Sequence, residues 1–279
     1  MTRFGLIGVP TNAFGRTDGV ARAPGVLRDA GLANALSPCT DYGDIPVLPP
    51  QPHRDAATGI IDPAGLAAMV TGVRSAVGRV LADGCLPVVI GGDCPLLLGC
   101  LAGARDRHGR LGLLFVDGHE DAYPPALSPT GQAADMELGF ALGLSMSGIP
   151  ELDALLPLIA AEDVVGVGAR DRQDIEAVGA RSVAGLLGHR RWPAAQPWWL
   201  HIDFDVLSTD SLAAVDYPQP GGLSWPELEE VVAEAVGVSR PVGMNVTIYN
   251  PDLDPGLATA PRIVAFVTTV ARLLADGPC

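Results

Sequence analysis

The sequence contains no lysine: all 18 basic residues among its 279 are Arg. Without a lysine amine there is neither a Schiff-base nucleophile nor a Walker-type phosphate loop. Cysteine is sparse and scattered. Cys39, Cys85, Cys94, Cys100 and Cys279 are odd in number and form no CxxC pair. This argues against a disulfide framework or a zinc ribbon, and for a reducing, cytoplasmic setting. The opening stretch MTRFGLIGVPTNAFGR lacks the apolar core of a signal peptide, and no apolar run approaches a membrane span. Positive charge is scarce as well. A formal charge of −14 argues against nucleic acid or an anionic membrane as a partner.

Ala, Gly, Val and Leu dominate what is present, and hydrophobic residues make up 48% of the chain, enough for a sizeable core. Repeats, low-complexity tracts and charged tails are missing. The proline-rich stretch 49–54 reads as a surface connection, so residues 1–279 are expected to form a single domain. Apolar runs predict strands at Phe4–Val9, Leu86–Gly91, Leu111–Asp117, Val164–Gly168, Trp198–Asp203 and Val242–Ile248. Helical patterns predict Pro24–Leu36, Pro63–Leu81, Pro95–Arg105, Ala134–Leu144, Glu151–Ala160, Trp225–Ala235 and Arg262–Leu274, the first with Pro in its opening turn. Strands alternating with helices imply right-handed crossovers and a mainly parallel sheet covered on both faces.

The stretch LGLLFVDGHED carries the most information. It starts as a continuous apolar run suited to a strand buried on both faces, then ends in Asp117, Gly118, His119, Glu120 and Asp121. Carboxylates and an imidazole just past such a strand are costly to pack without partners, and open α/β sheets place ligands at that edge. In an extended segment Asp117, His119 and Asp121 would point the same way. Two similar clusters follow other strands: Asp93 with Cys94 after LPVVIGG, and Asp203 with Asp205 after WWLHI. In a parallel sheet all three converge on one edge. Converging carboxylates repel unless cations neutralise them, and a two-metal centre is the simplest arrangement.

The ordered set of motifs resembles the ureohydrolases, the family of arginase, agmatinase and formiminoglutamase. The family's GGDH corresponds to Gly91-Gly92-Asp93-Cys94, its DAHxD to Asp117–Asp121 and its DxD to Asp203-Phe204-Asp205. Weaker echoes are Gly8-Val9-Pro10, Gly168-Ala169-Arg170, Pro220–Ser224, and Asn250-Pro251 with Asp254. The resemblance implies a three-layer α/β/α domain with two divalent ions, usually Mn²⁺. One ion would be held by Cys94, Asp117, Asp121 and Asp203, the other by His119, Asp117, Asp203 and Asp205. It also implies attack of a metal-bridging hydroxide on the planar carbon of a C–N group, with Asp121 and His119 as catalytic residues and Asp121 relaying the proton. Homo-oligomers are common among such enzymes.

Departures from the family pattern bear on the chemistry. Cys94 replaces a metal-binding His; as a softer ligand it would favour Fe²⁺ or Zn²⁺ more than usual, and otherwise it is a buried core thiol. The arginase loop after the second motif carries a proton-shuttling His; Ala122–Leu144 contains none, which leaves Asp135 or Glu137 as stand-ins. Where the family has a Glu that grips the guanidinium, this chain has Ile248, flanked by Thr247 and Tyr249. Thr247, Ile248 and Asp135 are therefore the candidate substrate contacts. His201 reads as a core or supporting histidine, His53, His108 and His189 as surface residues, and Arg170 as a structural ion-pair partner. Three functions remain open at this level: hydrolysis of a guanidino, hydroxyguanidino, amidino or formimino C–N bond in a small nitrogen compound; a binding protein that has lost turnover; and a metal-dependent amide hydrolase.

Overall fold

The computed structural model describes residues 2–188, 192 and 197–276; His189 and Cys279 lie outside them. Among the described residues the chain builds a seven-stranded sheet from β1 (Arg3–Val9), β2 (Cys39–Asp44), β3 (Cys85–Gly91), β4 (Gly112–Val116), β5 (Val164–Val167), β6 (Trp198–Asp203) and β7 (Gly243–Thr247). The strand order is β2-β1-β3-β7-β6-β4-β5 and every pairing is parallel. Inner strands β3, β4, β6 and β7 are buried throughout, as continuous apolar sequence requires of a sheet covered on both faces. Strand β2 is absent from the strands that apolar runs predict. Its sequence CTDYGD is polar and half-exposed, because it sits at an edge and pairs only with β1.

Side chains alternate between two cores. Phe4, Leu6, Val88, Leu114 and Trp198 face α1 (Ala23–Asp29), α2 (Leu32–Ala35), α8 (Trp225–Val238) and α9 (Ala260–Asp276). Ile7, Val9, Val89, Leu113 and Trp199 face the opposite layer, built on α3 (Pro63–Ala82) and α4 (Leu96–His108). The three layers are those of an α/β/α domain. Helix α3 has the length and mean hydropathy of a membrane span. Its Leu66, Met69, Val70, Val73, Val77 and Val80 instead form one buried stripe with the spacing of a core-facing helix.

Several helices differ from their expected bounds for local reasons. The stretch 24–36 divides at Gly31, which takes a left-handed conformation between α1 and α2. The stretch 134–144 contains only a tight turn and the short α5 (Glu137–Ala141), and 151–160 only α6 (Pro150–Asp153). Pro157 has no amide to continue a helix, and the chain beyond it folds back so that Leu158 and Ile159 donate to the Ala141 carbonyl. A further short helix, α7 (Arg172–Ala177), follows β5. Helix α8 begins with a complete capping box between Ser224 and Glu227.

The carboxyl ends of β3, β7, β6 and β4 are adjacent, so the three motifs and the Thr247–Ile248 segment open onto one crevice. Gly92 closes the first of these ends. A Cβ there would run into the backbone oxygens of Val9 and Thr11, so β1 and β3 can approach only around glycine. Gly92→Ala is expected to cost about 1–3 kcal/mol of stability by overpacking against backbone that cannot rotate away. A urea-denaturation midpoint equal to that of the parent would contradict this.

Candidate metal centre

Each acidic motif is held by amides of its own loop or a neighbouring one. Asp93 accepts from Ala13 N at 2.6 Å and Cys94 N at 3.0 Å, so it anchors the loop after β1. Asp117 accepts from His119 N at 2.7 Å, Asp205 from Gly118 N at 3.0 Å, and Asp203 from Asp205 N at 2.7 Å. Ile248 N donates to Gly92 O at 2.9 Å and joins the end of β7 to that of β3. Arg170 differs from the expected ion-pair partner. Its guanidinium donates to the carbonyls of Gly168, Asp205 and Val206, fixing the DxD loop. Glu120 points away from the crevice and accepts from Ser182 Oγ and Val183 N.

Donor atoms converge in two groups that share Asp117. In one, Cys94, Asp117, Glu137 and His201 each offer an atom within 4.8 Å of the others; in the second, Asp117, His119 and Asp205 do the same. Cys94 Sγ lies 2.5 Å from Asp203 Oδ2 and 3.1 Å from Thr247 Oγ1. His119 Nδ1 lies 2.9 Å from Asp205 Oδ2 and 3.8 Å from Asp117 Oδ1. Asp121 sits beside Glu137 with a left-handed backbone, φ 43°, and its carbonyl accepts from Leu138 N and Gly139 N. Asp117 Oδ2 and both oxygens of Glu137 are buried with no hydrogen-bond donor. Buried carboxyl oxygens that no N–H or hydroxyl group reaches are what a cation would satisfy, so these residues fit divalent ions.

Electrostatics agree with the geometry. Burial, followed by the charge of neighbouring carboxylates, pushes Asp121, Glu137 and Asp203 well above the ordinary carboxylate range. Burial also raises Asp93 to about 7, and burial with Asp203 raises the Cys94 thiol. Burial alone would lower His119, but its hydrogen bond and charge contact with Asp205, with Asp117 adding to them, raise it to about 9.

His201 is fully buried in β6, stacked on Phe115, with Nε2 3.6 Å from Asp117 Oδ2. Its protonation follows from a chain of donors. Trp199 Nε1 can only donate, and it meets Asn245 Oδ1 at 2.7 Å. Asn245 Nδ2 then faces His201 Nδ1 at 2.7 Å, making Nδ1 an acceptor and placing the proton on Nε2, toward Asp117.

The crevice continues into a pocket of about 330 Å³ lined in part by Asp93, Cys94, His119, Asp121, Asp135, Asp203, Asp205 and Ile248. Asp135 lies on its wall, held by Ser128 and Thr130 at 2.8 and 2.7 Å. Ile248 is at the lining with φ 70°, an uncommon and strained value for a β-branched residue. Thr247 departs from the expectation of a substrate contact. Strand alternation turns it into the interior, where it touches Cys94 and the Ile202 carbonyl and is absent from the pocket lining. Motif reasoning misses Glu137 and His201 as members of the donor cluster. The available signals are an acid inside the apolar stretch MELGFAL and a histidine inside the apolar strand WWLHI.

Fold and cluster together define a metal-dependent hydrolase of carbon–nitrogen bonds. The chain belongs to the arginase family: the sequence model of that family, described as Arginase family, matches residues 2–272. It is 27% identical to an arginase of Bacillus caldovelox over 298 residues, covering 96% of this chain and 97% of that protein. It is also 27% identical to human Arginase-1 over 281 residues, covering 89% and 85% of the two chains. The solved native structure of the Bacillus caldovelox arginase superposes with a TM-score of 0.80 at 26% identity, each chain covered in full.

The raised groups set a sign for stability against pH. A carboxyl with an elevated folded pKa binds its proton more tightly when folded, so its contribution is complete below about pH 4 and is lost as pH rises through the folded value, about 7 for Asp93. His119 follows the same rule, its contribution disappearing as pH rises through about 9. The thermal midpoint of chelator-treated protein is therefore expected to fall steadily between pH 5 and 9. A flat or rising midpoint over that range would contradict the assignment.

Proposed function

We propose that this protein hydrolyses a C–N bond of a small amidino-type compound, using two divalent cations held at the crevice floor, with residues 1–279 acting as one catalytic domain. The carrying observation is the set of buried, donor-less carboxylate oxygens beneath an open pocket. Cys94, Asp117, Asp121 and Asp203 would hold one ion, and His119, Asp117, Asp203 and Asp205 the other. Mn²⁺ is the expected metal, with Fe²⁺ or Zn²⁺ as alternatives because of the thiol. Bound ions there supply Lewis acidity and lower the pKa of water.

The chain's own residues supply the rest. Asp121, at the junction of cluster and pocket, accepts the proton released in the attack and passes it to the leaving nitrogen. His119 presents its imidazole to the same pocket, held in orientation by Asp205. Asp205 is in turn fixed by the Gly118 amide, and the loop carrying it is tied down through its carbonyl by Arg170.

Substrate choice follows from what surrounds the reacting group. A guanidinium buried without a carboxylate partner loses several kcal/mol of solvation, and Ile248 offers no charge at the position where the family resemblance places a Glu. The outer pocket adds Asp171, Asp174 and Asp216, and its lining contains no basic residue other than His119 among the described residues. A substrate carboxylate such as that of an amino acid finds no Arg there. Ile248 favours a neutral or weakly basic reacting group, such as a hydroxyguanidine, a formimino group or an amide, and the acidic outer lining disfavours the carboxylate of arginine while suiting a positively charged tail.

L-arginine and agmatine are accordingly expected to react at least about two to three orders of magnitude more slowly than the preferred substrate, for a lost contact of ~3–4 kcal/mol. A panel of nitrogen compounds, assayed for urea, hydroxyurea, ammonia and acetate, reads this directly. Rapid hydrolysis of arginine by the unmodified protein would sink the substrate assignment. Ile248→Glu should raise kcat/KM for agmatine at least about tenfold. Glu lacks β-branching, so the left-handed backbone at that position tolerates it at least as well as Ile.

A further inference from the structure

We infer that Glu137 is a metal ligand, replacing with a carboxylate the imidazole that the family pattern carries where this chain has Cys94. The inference rests on the two-metal reading above and adds a residue that lies outside all three motifs.

Two side chains near Cys94 could compensate for a missing imidazole. His201 is the obvious one, and it shares the donor group with Cys94, Asp117 and Glu137. Its lone pair is already committed. The Trp199–Asn245–His201 chain makes Nδ1 an acceptor, so Nε2 carries a proton toward Asp117 Oδ2 and cannot coordinate. His201 therefore faces the centre at 3.6 Å from Asp117, too far for a hydrogen bond, with no free lone pair to offer a cation.

Glu137 is committed only to the neighbouring Asp121 carboxyl, with which it shares a hydrogen bond. It is fully buried at the start of α5, and no N–H or hydroxyl group among the described residues donates to either of its oxygens. A buried carboxylate is among the costlier groups to leave unsatisfied. Its position is imposed by backbone: Leu138 and Gly139 donate to the Asp121 carbonyl, and a Cβ on Gly139 would press on Ala122. Helix α5 is thereby clamped onto the metal-binding loop with Glu137 directed at the cluster. Opposed oxygen ligands of a single divalent ion at ~2.2–2.4 Å stand ~4.4–4.8 Å apart. The donor atoms of Cys94, Asp117 and Glu137 all fall within 4.8 Å of one another, inside that span.

The exchange changes metal preference as well as affinity. A thiol alone at this position would soften the site toward Zn²⁺ or Fe²⁺. An added carboxylate makes the ligand set richer in hard oxygen and returns preference toward Mn²⁺. Glu137 thereby offsets the loss of the imidazole in both respects.

The test is calorimetric titration of chelator-treated protein with MnCl₂ and ZnCl₂, with bound metal counted by mass spectrometry after gel filtration. The parent protein is expected to take up two Mn²⁺. Glu137→Gln, nearly the same shape, is expected to lose one Mn²⁺ site or weaken it at least about tenfold, with Zn²⁺ binding reduced less. The metal-free variant should melt no lower than the parent, since it removes a buried unsatisfied acid, and this separates lost ligation from lost folding. Glu137→Asp, which keeps the charge on a shorter arm, should fall between the two. Two Mn²⁺ bound by Glu137→Gln with parental affinity would overturn the inference and leave Glu137 as a protonated neighbour of Asp121. A parent protein that binds no divalent ion would overturn both the inference and the two-metal reading beneath it.

Discussion

Like charges cannot be buried side by side without a counter-charge, and this fold brings Asp117, Asp121, Asp203, Asp205 and Glu137 into one closed interior. Most of what surrounds them exists to hold that arrangement. Four adjacent parallel strands deliver the loops, loop amides grip one oxygen of Asp117, Asp203 and Asp205, and Arg170 ties down carbonyls instead of neutralising carboxylates. With Arg170 spent on backbone, the compensating charge has to come from elsewhere. Protons supply it in the metal-free chain, which is why burial and mutual repulsion raise so many of these groups together. Divalent ions would supply it in the loaded protein.

Set against the arginase pattern, this chain keeps the carboxylate frame and alters the groups around it. Cys94 removes one imidazole, Ile248 removes the guanidinium's partner, and the loop after Asp121 contains no histidine. The structure shows that these changes are not independent of the packing. Cys94 rests on Thr247, whose neighbour Ile248 turns into the pocket through a left-handed backbone. The same loop that lacks a histidine delivers Glu137 to the cluster. The three positions therefore meet in one volume.

Most of the scaffold is legible in the sequence because inner strands declare themselves. LGLLFVD and WWLHID are apolar runs cut off by acid, and in a parallel sheet that junction is both the strand's end and the ligand edge. Strand β2 leaves no such trace, since an edge strand with one neighbour can be built from CTDYGD. Thr247 shows a limit of another kind. Adjacency to Ile248 suggests a shared role, whereas the left-handed backbone just past the strand's end turns Ile248 to the pocket and leaves Thr247 in the interior. Glu137 and His201 are hardest to read, because their contribution depends on tertiary contacts. One requires α5 to dock on Asp121, and the other requires Trp199 and Asn245 to set a tautomer.

The central claim is that the acidic interior is a two-cation site with Asp117 shared between the ions. A crystal of the protein grown with MnCl₂ and measured at the manganese absorption edge tests it most directly. Two anomalous-scattering peaks about 3.5–4 Å apart are predicted. One should lie among Cys94, Asp117 and Glu137, the other among Asp117, His119 and Asp205, with Asp117 touching both. A map with no peak at the crevice floor, or with a single ion that leaves Asp117 Oδ2 uncoordinated, would contradict it.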